Sequence, residues 1–149
     1  MKRSFTIPCK PFSINSMYTT RNVKTVAARN WTLDIILALR VEQDKLSDLR
    51  NHFEPMKHYY SVDFVFFYPS EKLYTKKGDL SSKAFDITNC EKGLLDIICA
   101  GKYFGTDWNQ VLNLSIDDRY FKRLTSEKEE SKDGGYSIRI EISIHPLAR

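Results

Sequence analysis

Residues 1–31 contain no aspartate and no glutamate. Lys2, Arg3, Lys10, Arg21, Lys24 and Arg29 therefore share that segment without one opposing charge. The other 17 basic residues stand among all 19 acidic ones, so the rest of the chain is close to neutral. A basic segment on a near-neutral body suits a phosphate backbone or another anionic partner. A plain solvated segment would carry the same pattern. No apolar run approaches the ~20 residues of a membrane-spanning helix. The basic start, Met1 to Pro8, leads into no long apolar core, so no signal peptide is expected. Only three cysteines occur, Cys9, Cys90 and Cys99, without CxxC spacing. That disfavours a disulfide framework or a structural zinc site and points to reduced thiols in a cytoplasmic protein.

What is present fits one ordinary globular domain over residues 1–149. Hydrophobic residues make up 42% and charged residues 28%, which is enough apolar content for a core. No repeat or second domain is visible.

Residues 3–9 read as a first strand ended by Pro8 and Pro11. Ser13 to Thr25 is rich in Ser, Asn and Thr without helical period, and is expected to be a long loop. Arg21 and Lys24 can meet phosphates there, Tyr18 can stack, and Asn15 can hydrogen-bond. From Arg29 to Phe53, Ile35, Leu39, Leu46, Leu49 and Phe53 recur at helical spacing, and Pro55 closes the element. His58 to Tyr68 alternates as a strand with apolar residues on both faces, so a central strand is expected. Its aromatic density favours core packing over a base-stacking platform. Pro69 to Lys83 is a polar connection with a turn signal at Gly78-Asp79.

A second helix is expected from Asn89. Thr88-Asn89-Cys90-Glu91 has the form of a capping box. Cys90, Leu94, Ile97 and Ile98 share one face, while Asn89, Lys92 and Asp96 share another. Asp86 sits just before this helix. Gly101 to Leu114 is less legible. Asp117-Asp118 then precedes a short strand, Tyr120 to Leu124. Thr125 to Gly135 reads as a charged turn, with Asp133-Gly134-Gly135 as a hairpin signal. Tyr136, Ile138, Ile140, Ile142 and Ile144 alternate with polar residues as a last strand. The expected fold class is α+β, a small mixed sheet of about four to five strands with two main helices on it.

Carboxylates gathered from separate elements beside a lysine suit a magnesium site for phosphodiester chemistry. The competing account is a capped helix with a surface Lys92–Asp96 pair, worth only ~0.3–0.5 kcal/mol.

These residues resemble the RusA family of Holliday junction resolvases, common in bacteria and their phages. The family's core is a strand ending in Asp-x-Asp-Asn, a lysine three residues on, an Asp four further, and later an Asp-Asp pair before a strand. Here that reads Asp86-Ile87-Thr88-Asn89, Lys92, Asp96 and Asp117-Asp118. Ser13-Ile14-Asn15-Ser16-Met17-Tyr18, followed by Arg21 and Lys24, resembles the family's Asn-rich loop. Two departures stand out. Thr88 replaces an acid, and Lys102 to Leu114 looks like an insertion. The resemblance implies a RusA-like fold and a Mg²⁺-dependent endodeoxyribonuclease acting on Holliday junctions or related branched DNA in recombination and repair. Mn²⁺ would be a substitute ion and the enzyme a homodimer. It assigns catalysis to Asp86, Lys92 and Asp118, and metal binding to Asp86, Asp117 and Asp118 with Asp96 as substitute. DNA contact falls to Asn15, Tyr18, Arg21, Lys24, Arg29 and Asn89. The alternative is a catalytically impaired branched-DNA-binding module of the same fold.

Overall fold

The computed structural model describes residues 1–12, 26–82, 88–99 and 118–148, with backbone alone for 88 and 89. The expected loop at 13–25 and the stretch 101–114 lie outside them.

Among the described residues four strands form one mixed sheet: β1 (Lys2–Ile7), β2 (His58–Tyr68), β3 (Phe121–Glu130) and β4 (Ser137–Pro146), in the order β1-β4-β2-β3. The described helices are α1 (Val26–Val41), α2 (Gln43–Asn51), the single turn α3 (Ser70–Leu73) and α4 (Thr88–Cys99). The class is therefore α+β with a four-stranded mixed sheet. None of the described helices is long and apolar enough to cross a membrane.

β2 is central, antiparallel to β4 and parallel to β3. Its even positions face the helices: Tyr60, Val62, Phe64, Phe66 and Tyr68 are buried. They pack with Ile138, Ile140 and Ile142 of β4, Phe5 and Ile7 of β1, and the inner faces of α1, α2 and α4. Side chains of this size contribute ~1.5–3 kcal/mol each when fully buried. The aromatics of β2 thus serve the core. Tyr60 is held further by its hydroxyl, which donates to the Leu49 carbonyl (3.0 Å), and by Phe53 stacked on its ring at 4.0 Å.

Three expectations need correction. The helix expected over 29–53 is two helices. Glu42 leaves helical geometry at φ −115°, ψ 30°, and its amide donates to the Leu39 carbonyl in a tighter turn. α2 is then tied to β1: the Lys45 ammonium donates to the Ser4 carbonyl (2.7 Å), and Arg3 pairs with Asp48 (3.3 Å). The polar segment after Pro69 contains a helical turn, α3. The charged run Thr125–Glu130 is strand rather than turn, because β3 is an edge strand among the described residues, and an edge strand tolerates charge. Residues 131–136 consequently do not close a hairpin. β3 and β4 both flank β2, and the connection passes around the end of β2, where the Ser131 amide donates to the Tyr68 carbonyl (2.8 Å). Gly134 still makes a turn, at φ +78°.

Candidate functional site

α4 is positioned by its apolar face. Cys90, Leu94, Ile97 and Ile98 are all buried in the core, as the helical spacing predicts. Lys92 is consequently exposed, and Asp96, one turn further along the same side, is half-buried. The helix begins at Thr88, one residue earlier than expected.

Asp118 opens a 3₁₀ turn, Asp118–Tyr120, that leads directly into β3. This turn packs against α4. It is anchored from below: Tyr120 meets Phe53 edge-on at 5.7 Å, and Phe121 stacks on Tyr60 at 5.1 Å. Asp118 itself is exposed. So two pieces separated by more than twenty residues in sequence, helix α4, which carries Lys92 and Asp96, and the turn that begins with Asp118, are neighbours.

Asp86, Asp117, Asn15, Tyr18, Arg21 and Lys24 lie outside the described residues, as does the side chain of Asn89. Arg29 is exposed in the first turn of α1. Among the described residues, no three of His, Cys, Asp and Glu gather into a group that would hold a metal. Asp96 and Asp118 are oxygen donors, the type that hard divalent cations take.

The cysteines are free thiols. Burial is the main cause pushing the Cys9 and Cys90 thiols up to about 12, so neither is a ready nucleophile at neutral pH.

A second polar cluster was not singled out in the sequence. It lies on the sheet face opposite the core, where Tyr59, Ser61, Arg123 and His145 come together. A signal for it was present: Lys122-Arg123 puts two adjacent cations at the start of a strand, where strict alternation would send one toward the core.

The chain matches no family model and no curated protein.

Proposed function

We propose that the chain is a magnesium-dependent endodeoxyribonuclease of the RusA type, cutting four-way or otherwise branched DNA as a homodimer. The observation that carries this reading is the packing of the Asp118–Tyr120 turn against α4, with Lys92 and Asp96 on that helix. It sets the turn that begins with Asp118 beside the lysine-bearing helix.

In this reading Asp86 and Asp118 would hold the ion. Asp117 or Asp96 would add the carboxylate that Thr88 lacks. When bound, Mg²⁺ supplies a Lewis acid and an activated water. The exposed Lys92 ammonium stabilises negative charge on the non-bridging phosphate oxygens. The acid-free N-terminal segment holds flanking phosphates.

A dimer is supported by a stripe on α1. Val26 is 69% exposed, Leu37 43% and Val41 86%, all on the side turned away from the core. β2 is a poorer interface, since both its edges are already paired.

The test is cleavage of a synthetic four-way junction with Mg²⁺ and then with EDTA. Asp118→Asn is expected to lose cleavage and keep binding. Undiminished cutting by both Asp118→Asn and Asp86→Asn would overturn the reading. Thr88, at the first position of α4, favours a second one: a junction-binding module without catalysis. It predicts salt-sensitive binding and no cutting in Mg²⁺ or Mn²⁺.

A further inference from the structure

The pairing of β2 with β3 is irregular at its start. Tyr60 is opposite Phe121, but Ser61 is opposite Arg123, so Lys122 is an extra residue in a bulge. Bulges re-aim side chains. Here the result is that two consecutive cations share one face. Lys122 lies over the Tyr59 ring, its ammonium 5.0 Å from the centroid. Arg123 reaches His145, with Nη2 3.5 Å from Nε2. Phe121 meanwhile packs on Tyr60 on the core side.

His145 is fixed in place. Its ring stacks on Tyr59 at 5.0 Å, and the Ser61 hydroxyl, on a fully buried serine, lies 2.7 Å from Nε2. An Nε2 that accepts from Ser61 belongs to a neutral ring. Among the described residues neither Lys122 nor Arg123 has a carboxylate partner. The nearby acid Asp63 accepts from the Thr125 hydroxyl, and Glu141 is paired with Lys2 at 3.3 Å. Two exposed cations thus share the face on which Tyr59 and His145 lie, and neither is paired with a described carboxylate.

We propose that the bulged start of β3, with Lys122 and Arg123 beside His145, is a backbone-phosphate contact for a DNA strand. It rests on the nuclease reading for its ligand class and adds a contact surface outside the acidic site. Arg123 is five residues beyond Asp118 in sequence. Five residues reach at most ~18 Å. A strand rises ~3.4 Å per nucleotide, so the contact lies within about five nucleotides' length of Asp118. The guanidinium gives a forked donor and Lys122 a point charge, a combination suited to phosphate and blind to base sequence.

The experiment measures affinity of the full chain for a synthetic four-way junction across a salt series. Lys122→Ala/Arg123→Ala is compared with wild type, and the His145 ring resonances are followed by NMR. Each phosphate contact contributes ~0.9 to the slope of log K against log salt. The double variant is expected to lower that slope by about 2 and to weaken binding equally for junctions of different sequence. The His145 resonances are expected to move on adding junction to wild type and to stay put in the variant. An unchanged slope with unmoved His145 resonances overturns the proposal. If the double variant does not fold, Lys122→Gln alone is expected to lower the slope by about 1. Wild type that cuts, with an unchanged slope in the variants, sinks this contact and leaves the nuclease standing. Wild type that binds with the lowered slope in the variants but never cuts does the reverse. No binding at low salt sinks both.

Discussion

The Ser61 hydroxyl and His145 Nε2 lie 2.7 Å apart across two strands of the sheet. Ser61 is fully buried and His145 half-buried. Burial, chiefly, and then the Arg123 guanidinium, the Met1 amino group and Lys2 push the His145 pKa below its ordinary 6.5, while Asp63 pulls the other way. The folded chain therefore binds a proton here less readily than the unfolded chain. Above pH 6.5 neither state carries it and the site is neutral toward stability. As pH falls through 6.5 the unfolded state protonates first, and stability declines until the folded-state pKa is passed. His145→Gln removes this component. Urea denaturation at pH 7.5 and pH 5 is expected to show a smaller stability difference in the variant than in wild type. An identical difference would mean that His145 does not titrate differently on folding.

Tyr60 tests how the central strand is held. Its ring is buried between Phe53 and Phe121, and its hydroxyl satisfies a carbonyl near the end of α2. Tyr60→Phe keeps the packing and orphans the Leu49 oxygen, a loss of about 1–2 kcal/mol. Phe64→Ala, which empties part of the same fully buried row, is expected to cost about 3–5 kcal/mol. Denaturant midpoints at equal m-value compare the two. A Tyr60→Phe loss as large as that of Phe64→Ala would place the hydrogen bond above the packing, against this account.

Gly134 isolates a backbone effect. At φ +78° its conformation strains any residue with a Cβ, yet nothing lies within 4 Å of where that carbon would be. Gly134→Ala should therefore show the conformational penalty alone, about 1–2 kcal/mol. The neighbouring turn contact, from the Gly135 amide to the Asp133 carboxylate at 2.9 Å, limits relaxation. Thermal unfolding of the variant measures it, and an unchanged midpoint would show that the turn adopts another geometry.

These elements differ in how well the sequence announced them. β4 was legible because its core side is buried, which imposes a period of two, and β2 because its apolar residues on both faces mark a central strand. The inner face of α4 was legible for the same reason as β4, at a period of 3.6. The break at Glu42 was not. Leu39 and Leu46 are seven apart, which an unbroken helix satisfies equally well, and the cause lies in tertiary ties from Lys45 and Asp48 to β1. β3 was hidden because an edge strand carries charge, and Thr125–Glu130 has the composition of a turn. The crossover around β2 was hidden too, since Asp133-Gly134-Gly135 specifies a turn but not which strand it joins. In the candidate site, the sequence placed Lys92 and Asp96 on one helical face. That the Asp118 turn lies against the same helix needed the packing of Tyr120 and Phe121.

Metal binding has a readout that does not depend on cutting. An ion that binds only the folded state stabilises it by about 2.7 kcal/mol at a hundredfold excess over Kd. Mg²⁺ is expected to raise the melting temperature of wild type, and Asp118→Asn to abolish the rise. EDTA should return wild type to the metal-free value. A rise that survives Asp118→Asn would put the ion elsewhere.

The α1 stripe yields the last prediction, which follows from the proposed homodimer. Val26, Asn30, Leu33, Leu37 and Val41 follow one another at helical spacing along the outer side of the helix, with Arg29 on one flank and Asp34 on the other. In a parallel two-fold pair of helices, the flank of one copy meets the opposite flank of the other, at a spacing of five residues. Arg29 and Asp34 have that spacing and opposite charge. An asparagine within such a seam selects a parallel pair at one register. The antiparallel arrangement would instead set each flank against the same flank of the other copy, so Arg29 and Asp34 would not meet. Leu37→Glu is expected to shift the chain toward monomer by analytical ultracentrifugation while the fold persists, since Leu37 is 43% exposed and outside the core. Arg29→Glu alone should weaken the dimer, and Arg29→Glu combined with Asp34→Arg should restore it. Restoration by the double exchange distinguishes the parallel pairing from any contact in which these two residues do not meet.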